Sequence, residues 1–207
     1  MDALTAPVVL QRRVPAEEAA RADFYALLAR LFHDAPDAAL LAALAHAPEL
    51  EAGSPLAGEW RDLTWASRAM DADAARTEYD ALFVGVGKAE VSIYAGYYLG
   101  APAADHPRVR LQRELAAMSL APRDGNPEPE DHLAGLFDVM RVLVAGGAGR
   151  EPASLADQRR FFETYVARAT QCFCAATKAA PAANYYRKVA QFAAAFVSFE
   201  SKSFELE

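Results

Sequence analysis

The sequence predicts an all-α protein, a single-domain irregular helical bundle, and three observations lead there. Apolar residues recur at helical spacing along nearly the whole chain. The breaks between these stretches are clusters of glycine and proline. No repeat or low-complexity tract appears beyond a general richness in alanine, so the bundle is an irregular one. At 207 residues and 53% hydrophobic, the chain is long enough for one well-filled core, and one domain over 1–207 is expected, with 1–15 a flexible lead-in.

The elements follow in order. Phe24, Leu27, Leu28, Leu31 and Phe32 mark a first helix over 16–33, and a shorter one over 38–45 follows Pro36. Further helices are predicted over 56–70, 72–84, 109–120, 129–144, 155–178 and 182–199. Ser154-Leu155-Ala156-Asp157 is close to a capping box and should start the penultimate helix. The last helix has the cleanest stripe, through Tyr185, Val189, Phe192, Phe196 and Phe199. Breaks are expected at 85–87, 102–107, 124–127 and 146–149.

Charge and cysteine content narrow the function classes. A net charge of -7 and a pI near 5.2, with no basic stripe on any predicted helix, argue against nucleic acid or an anionic membrane as partner and favour a basic ligand. Cys172 and Cys174, two apart on a helix, point to different faces, so no disulfide joins them and a reducing cytoplasm is expected. No apolar run reaches the roughly 18 residues needed to span a bilayer. Gln11-Arg12-Arg13-Val14 has the look of a twin-arginine export signal, but Pro15-Ala16-Glu17-Glu18 stands where the apolar stretch should be.

The most informative stretch is Glu128-Pro129-Glu130-Asp131-His132, which leads into the apolar 133–140. Pro129 suits a first helical position, where a missing N–H is harmless, and Glu130 and Asp131 suit the positive end of a helix dipole. A well-capped core helix is therefore one reading of it. The other is a negative rim beside an apolar surface, which suits a basic and apolar peptide.

Gly85-Val86-Gly87-Lys88 lacks the glycine spacing, the following Ser or Thr and the strand context of a phosphate loop. Around it stand Tyr79, Leu82 and Phe83 on one side, and Ile93, Tyr94, Tyr97, Tyr98 and Leu99 on the other. Aromatic stripes usually form core, but tyrosines favour surfaces with one wet and one apolar side, and glycines such as Gly87 let another backbone approach.

Together these segments resemble the TorD/DmsD/NarJ family of redox-enzyme maturation chaperones. The family's acidic Pro-x-Asp-His turn is matched by 128–132. Its aromatic-x-x-Leu-Phe element is matched by 79–83, followed by the Gly85/Gly87 loop, and its Tyr-rich element by 94–99. Residues 21–32 look like its opening helix, and Phe161-Phe162 and Tyr185-Tyr186-Arg187 resemble its two closing helices. The chain departs from the pattern at Leu136, Gly96, Tyr165 and Ala169, where members commonly carry Glu, Ser, His and Trp; these changes leave the subfamily and the client open.

The resemblance implies a cytoplasmic, non-catalytic protein without a cofactor. Such a protein binds the twin-arginine signal peptide or the apo form of a molybdopterin-containing oxidoreductase until cofactor insertion and folding are complete. Glu128, Glu130 and Asp131 would meet guanidinium groups by charge-assisted bonds. Tyr79, Leu82, Phe83, Tyr94 and Tyr98 would line an apolar groove, with Gly87 and Pro129 also counted in the peptide site, and His132 would orient Asp131 or a peptide carbonyl or merely finish the turn. A same-fold chaperone for a client that is never exported is the near alternative. A helical metalloenzyme is the distant one, since Glu128 and His132 are four apart; yet no Glu-x-x-His of the di-iron bundles occurs in the chain.

Overall fold

The computed structural model describes residues 15–85, 87–100, 106–120, 129–147 and 149–206. It is a single all-α bundle, and among the described residues extended backbone pairs only as isolated bridges. The sequence element at 11–14, the breaks at 124–127 and most of 102–107, and Glu128 lie outside the described residues.

Helix α1 (Ala16–His33) and α2 (Ala38–Ala45) run over the residues that periodicity predicts. The Asp37 side chain starts α2 by accepting from Leu40 N–H at 2.7 Å, one of the donors that a helix start leaves without a partner. Helix α3 (Ala57–Ala69) follows, then α4 (Ala72–Tyr79), which Asp71 caps through Ala74 N–H at 2.8 Å. The single helix expected over 72–84 is instead α4 and a π-helical turn, Asp80–Val84, closed by Gly85 N–H on the Asp80 carbonyl at 2.7 Å. Gly85 sits at φ +67, and a Cβ there would overlap the Lys88 carbonyl, so the chain reverses there on glycine alone.

A one-turn helix that periodicity does not announce, α5 (Gly96–Leu99), precedes α6 (Pro107–Ala117) and α7 (Leu133–Ala145). The helix expected over 155–178 is again divided by a π turn. It comprises α8 (Leu155–Phe161), the turn Phe162–Val166 and α9 (Ala167–Ala179). Ser154 caps α8 as expected, accepting from Asp157 N–H at 3.2 Å. Helix α10 (Tyr185–Leu206) is longer than the stripe over 182–199 indicates, and no described helix is long and apolar enough to cross a membrane.

Packing follows the stripes. Helix α1 lies against α7, while α10 lies against α9 and α3, and α2 against α3. Phe24 of α1 meets Trp60, Phe192 and Phe196 edge-on at 5.3–5.6 Å, and Phe32 stacks on Phe137 at 5.9 Å and meets Phe173 at 5.0 Å. Each such ring pair adds about 0.5–1.5 kcal/mol to what area burial supplies. Cys174 is buried and Cys172 exposed, so the two thiols do face apart. Burial pushes the Cys174 thiol up to about 12, which keeps it protonated and unreactive.

Two buried polar junctions fix the helices against one another. In the first, Glu200 of α10 accepts from Tyr25 Oη at 2.8 Å and from Arg21 Nε and Nη2 at 2.9 and 2.8 Å, with Glu18 on the far side of the guanidinium. Burial alone would lower the Arg21 pKa, but the Glu200 carboxylate outweighs it and holds the cation firmly charged. In the second, the Glu78 carboxylate accepts from the backbone amides of Asn184, Tyr185 and Tyr186 at 2.7, 2.9 and 2.7 Å, closing the head of α10 from another helix. The tyrosines beside Glu78 reach α1: Tyr79 Oη lies 3.1 and 2.9 Å from the Phe32 and His33 carbonyls, and Tyr186 Oη donates to Leu31 at 3.0 Å.

A buried carboxylate on three amides makes Glu78→Gln expensive, because the amide side chain offers one acceptor and a misplaced donor. We expect a loss of about 1–3 kcal/mol, read as a lower urea midpoint at unchanged slope. An unchanged midpoint would mean that the cap is dispensable.

Candidate functional site

The acidic turn and the tyrosine element, apart in sequence, are joined by backbone. Ala95 N–H donates to the Asp131 carbonyl at 2.8 Å and Leu133 N–H to the Ile93 carbonyl at 3.1 Å, so that Tyr94 and His132 face each other as an antiparallel bridge. The Asp131 carboxylate accepts from Gly96 N–H at 3.2 Å and is buried. Val91 N–H donates to the Leu82 carbonyl at 2.9 Å and ties the intervening loop back to the π turn.

This pairing changes where α7 begins. The expected start at Pro129 does not form, because extended backbone at His132 (φ -63, ψ 130) is needed for the bridge, and the helix starts at Leu133. Pro129 instead accepts from His132 N–H at 3.0 Å and closes a turn. His132 is the N-cap, its Nδ1 accepting from Ala134 N–H at 3.2 Å, which leaves the ring proton on Nε2. The imidazole is buried and edge-on to Tyr94 at 5.5 Å and to His33 at 6.5 Å. It finishes the turn as its cap, while the Asp131 carboxylate goes to Gly96 N–H.

Glu130 faces neighbours of this chain. Its Oε2 accepts from Arg108 Nε at 3.1 Å and its Oε1 from Gln112 Nε2 at 2.9 Å, both on α6. Its own backbone N–H, and then Gln112 and Arg108, hold its carboxyl below the usual glutamate range. The contact is thus present at neutral pH and is lost only as pH falls through that depressed pKa.

The aromatic residues divide into two groups. Tyr79, Leu82 and Phe83 are core, at 6%, 0% and 7% exposure, and do not line an open groove. The reason is their spacing: positions i, i+3 and i+4 share one face, and here that face turns inward onto Tyr186 and Phe173. Tyr98 is half-buried, donating to the Ser92 carbonyl at 2.7 Å, with burial raising its pKa well above the ordinary phenol value. Tyr94 is 37% exposed and Tyr97 75%, with the Tyr97 ring 5.0 Å from that of Tyr98. Val84, at the end of the π turn, is 58% exposed. Gly87 is exposed at φ +91, and among the described residues nothing stands within 4 Å of where its Cβ would be.

Sequence reading therefore misses Arg108 and Gln112 as partners of Glu130, and Tyr97 as the most exposed ring. Their i, i+4 spacing on α6 shows that they share a face, but no local signal shows which carboxylate that face meets. A separate cleft of about 380 Å³ lies at the tail of α1, lined by Arg30, His33, Asp34, Asp37, Asp73 and Arg76 among others. Its two arginines are already paired, Arg30 with Asp37 and Arg76 with Asp34. Among the described residues no group of three or more His, Cys, Asp or Glu could hold a metal.

At Gly96 the two segments leave no room for a side chain, and a Cβ on it would stand 2.7 Å from Asp131 Oδ2. Gly96→Ala must push the carboxylate off the amide. We expect a loss of about 1–2 kcal/mol and shifted amide resonances over 93–96 and 131–133. Wild-type stability and spectra would show that this approach does not set the geometry.

No curated protein matches the chain. The profile of the nitrate reductase delta subunit family matches residues 47–175, more than half of the chain. The matched stretch carries both segments of the site, from the π turn through α5 to the head of α7. This chain belongs to the nitrate reductase delta subunit family, the NarJ/TorD-type chaperones of molybdoenzyme maturation.

Proposed function

We propose that the chain acts in the cytoplasm as one domain, binding the twin-arginine signal peptide of a molybdopterin oxidoreductase, or its apo form, and holding it until cofactor insertion and folding are complete. The observation that carries this reading is the bridge between Tyr94 and His132, which joins the segment of the exposed tyrosines to the acidic turn that holds Glu130. A ligand joining arginines to an apolar stretch has a counterpart for each half there. The free thiols at Cys172 and Cys174 suit a reducing compartment.

Magnitudes assign the work. Exposed ion pairs contribute about 0–1 kcal/mol each, burying a large side chain roughly 1.5–3 kcal/mol, and micromolar affinity needs about 8 kcal/mol net. The apolar stretch therefore supplies most of the affinity, through Tyr94, Tyr97 and Val84. Glu130 supplies register and choice of ligand. Tyr79, Leu82 and Phe83 act from beneath by fixing the frame; Leu82→Ala would cost about 2–5 kcal/mol of stability and report on folding instead of binding.

Two measurements test this. In titration of the client's leader peptide, Tyr97→Ala should weaken binding about tenfold or more and Glu130→Gln at most about fivefold; the reverse order would contradict the division of labour. A pull-down from native cytoplasm should recover a molybdopterin oxidoreductase that is lost when its leader is deleted. The same enzyme retained without its leader would show that the body of a client is held instead.

A further inference from the structure

We propose that Arg108 is a resident arginine that keeps α6 closed on the acidic turn, so that a ligand arginine enters by exchange with it. The inference rests on reading the site as a receptor for a basic and apolar peptide. Both oxygens of Glu130 are taken, and both donors come from one face of one helix, Arg108 and Gln112 at i and i+4. The Glu130 carboxylate that would receive a ligand guanidinium is therefore already engaged by this chain.

Two features make that engagement reversible. Helix α6 is lightly rooted: only Pro107, Leu111 and Leu115 of its eleven residues are buried. Its ties further along are a 3.4 Å surface contact of Glu114 with Arg160 and the Arg110 guanidinium over the Tyr165 ring at 5.8 Å. The Arg108 to Glu130 contact also lies at the solvent edge, with side chains 45% and 21% exposed, and it uses Nε at 3.1 Å. A guanidinium arriving with two parallel N–H groups makes the stronger bidentate pair and can displace it. Asp131 differs, since its carboxylate is buried on Gly96 N–H and holds the turn rather than exchanging. Removing Arg108 should therefore help binding, the opposite of what a surface arginine assisting an acidic site would do.

The test is isothermal titration of the full chain with a synthetic peptide carrying two adjacent arginines followed by roughly ten apolar residues. The proteins are wild type, R108Q, E130Q and the double variant, with Gln112→Ala as a second way to loosen α6. R108Q is expected to tighten binding about two- to fivefold and Gln112→Ala to do so by less, within the range of an exposed ion pair. E130Q should weaken it, and R108Q should have no effect in the E130Q background. A peptide with glutamines for both arginines should gain nothing from R108Q. Wild-type binding that R108Q leaves unchanged or weakens would overturn the exchange while leaving the peptide site standing. Silence of every protein, wild type included, would remove the peptide reading itself and the exchange with it.

Discussion

The Glu78 carboxylate, set on three backbone amides at the head of α10, is the contact on which the rest of the structure depends. A 22-residue helix leaves its first amides without partners, and here they are buried beside α4. A negative side chain there meets both the hydrogen-bonding demand and the positive end of the dipole. The neighbouring residues extend the junction to α1, where the hydroxyls of Tyr79 and Tyr186 take the last carbonyls, those of Leu31, Phe32 and His33. Two helix ends, the head of α10 and the tail of α1, are thus closed at one place. Ser67 of α3 joins them through the Tyr185 hydroxyl at 3.1 Å.

That junction positions the candidate site. Helix α1 ends where the tyrosines take its carbonyls, which brings His33 to within 6.5 Å of the His132 ring. The π turn starts at the next residue after Tyr79 and turns Leu82 and Phe83 into the core while leaving Val84 at the surface. From there the loop returns to lay Tyr94 to Gly96 against Asp131 to Leu133. The buried aromatics form the frame, and the exposed ones, Tyr94 and Tyr97, stand on it.

The sequence discloses local order well and non-local pairing poorly. The ends of α1 and α2 are legible because Pro15, Pro36 and Asp37 act on their own neighbours, and Ser154 is legible as a cap for the same reason. The two π turns are not, since a ring closed at i+5 keeps the apolar stripe on nearly the same face as one closed at i+4. The start of α7 is misplaced because local preference favours Pro129, whereas a bridge to Tyr94, distant in sequence, holds His132 extended. The acidic turn and the tyrosine element are both recognisable as segments that belong together. Which of their aromatics face outward is not, because the i, i+3, i+4 spacing of Tyr79, Leu82 and Phe83 fits a groove wall and a core stripe equally.

Amide hydrogen exchange of the protein, alone and saturated with the leader peptide of its molybdoenzyme client, reads the site without any substitution. The account predicts new protection over 94–99 and 129–134 and none over 189–204, where the core of α10 is already closed. Protection confined to the charged cleft at the tail of α1, around 30–37 and 72–76, would contradict it.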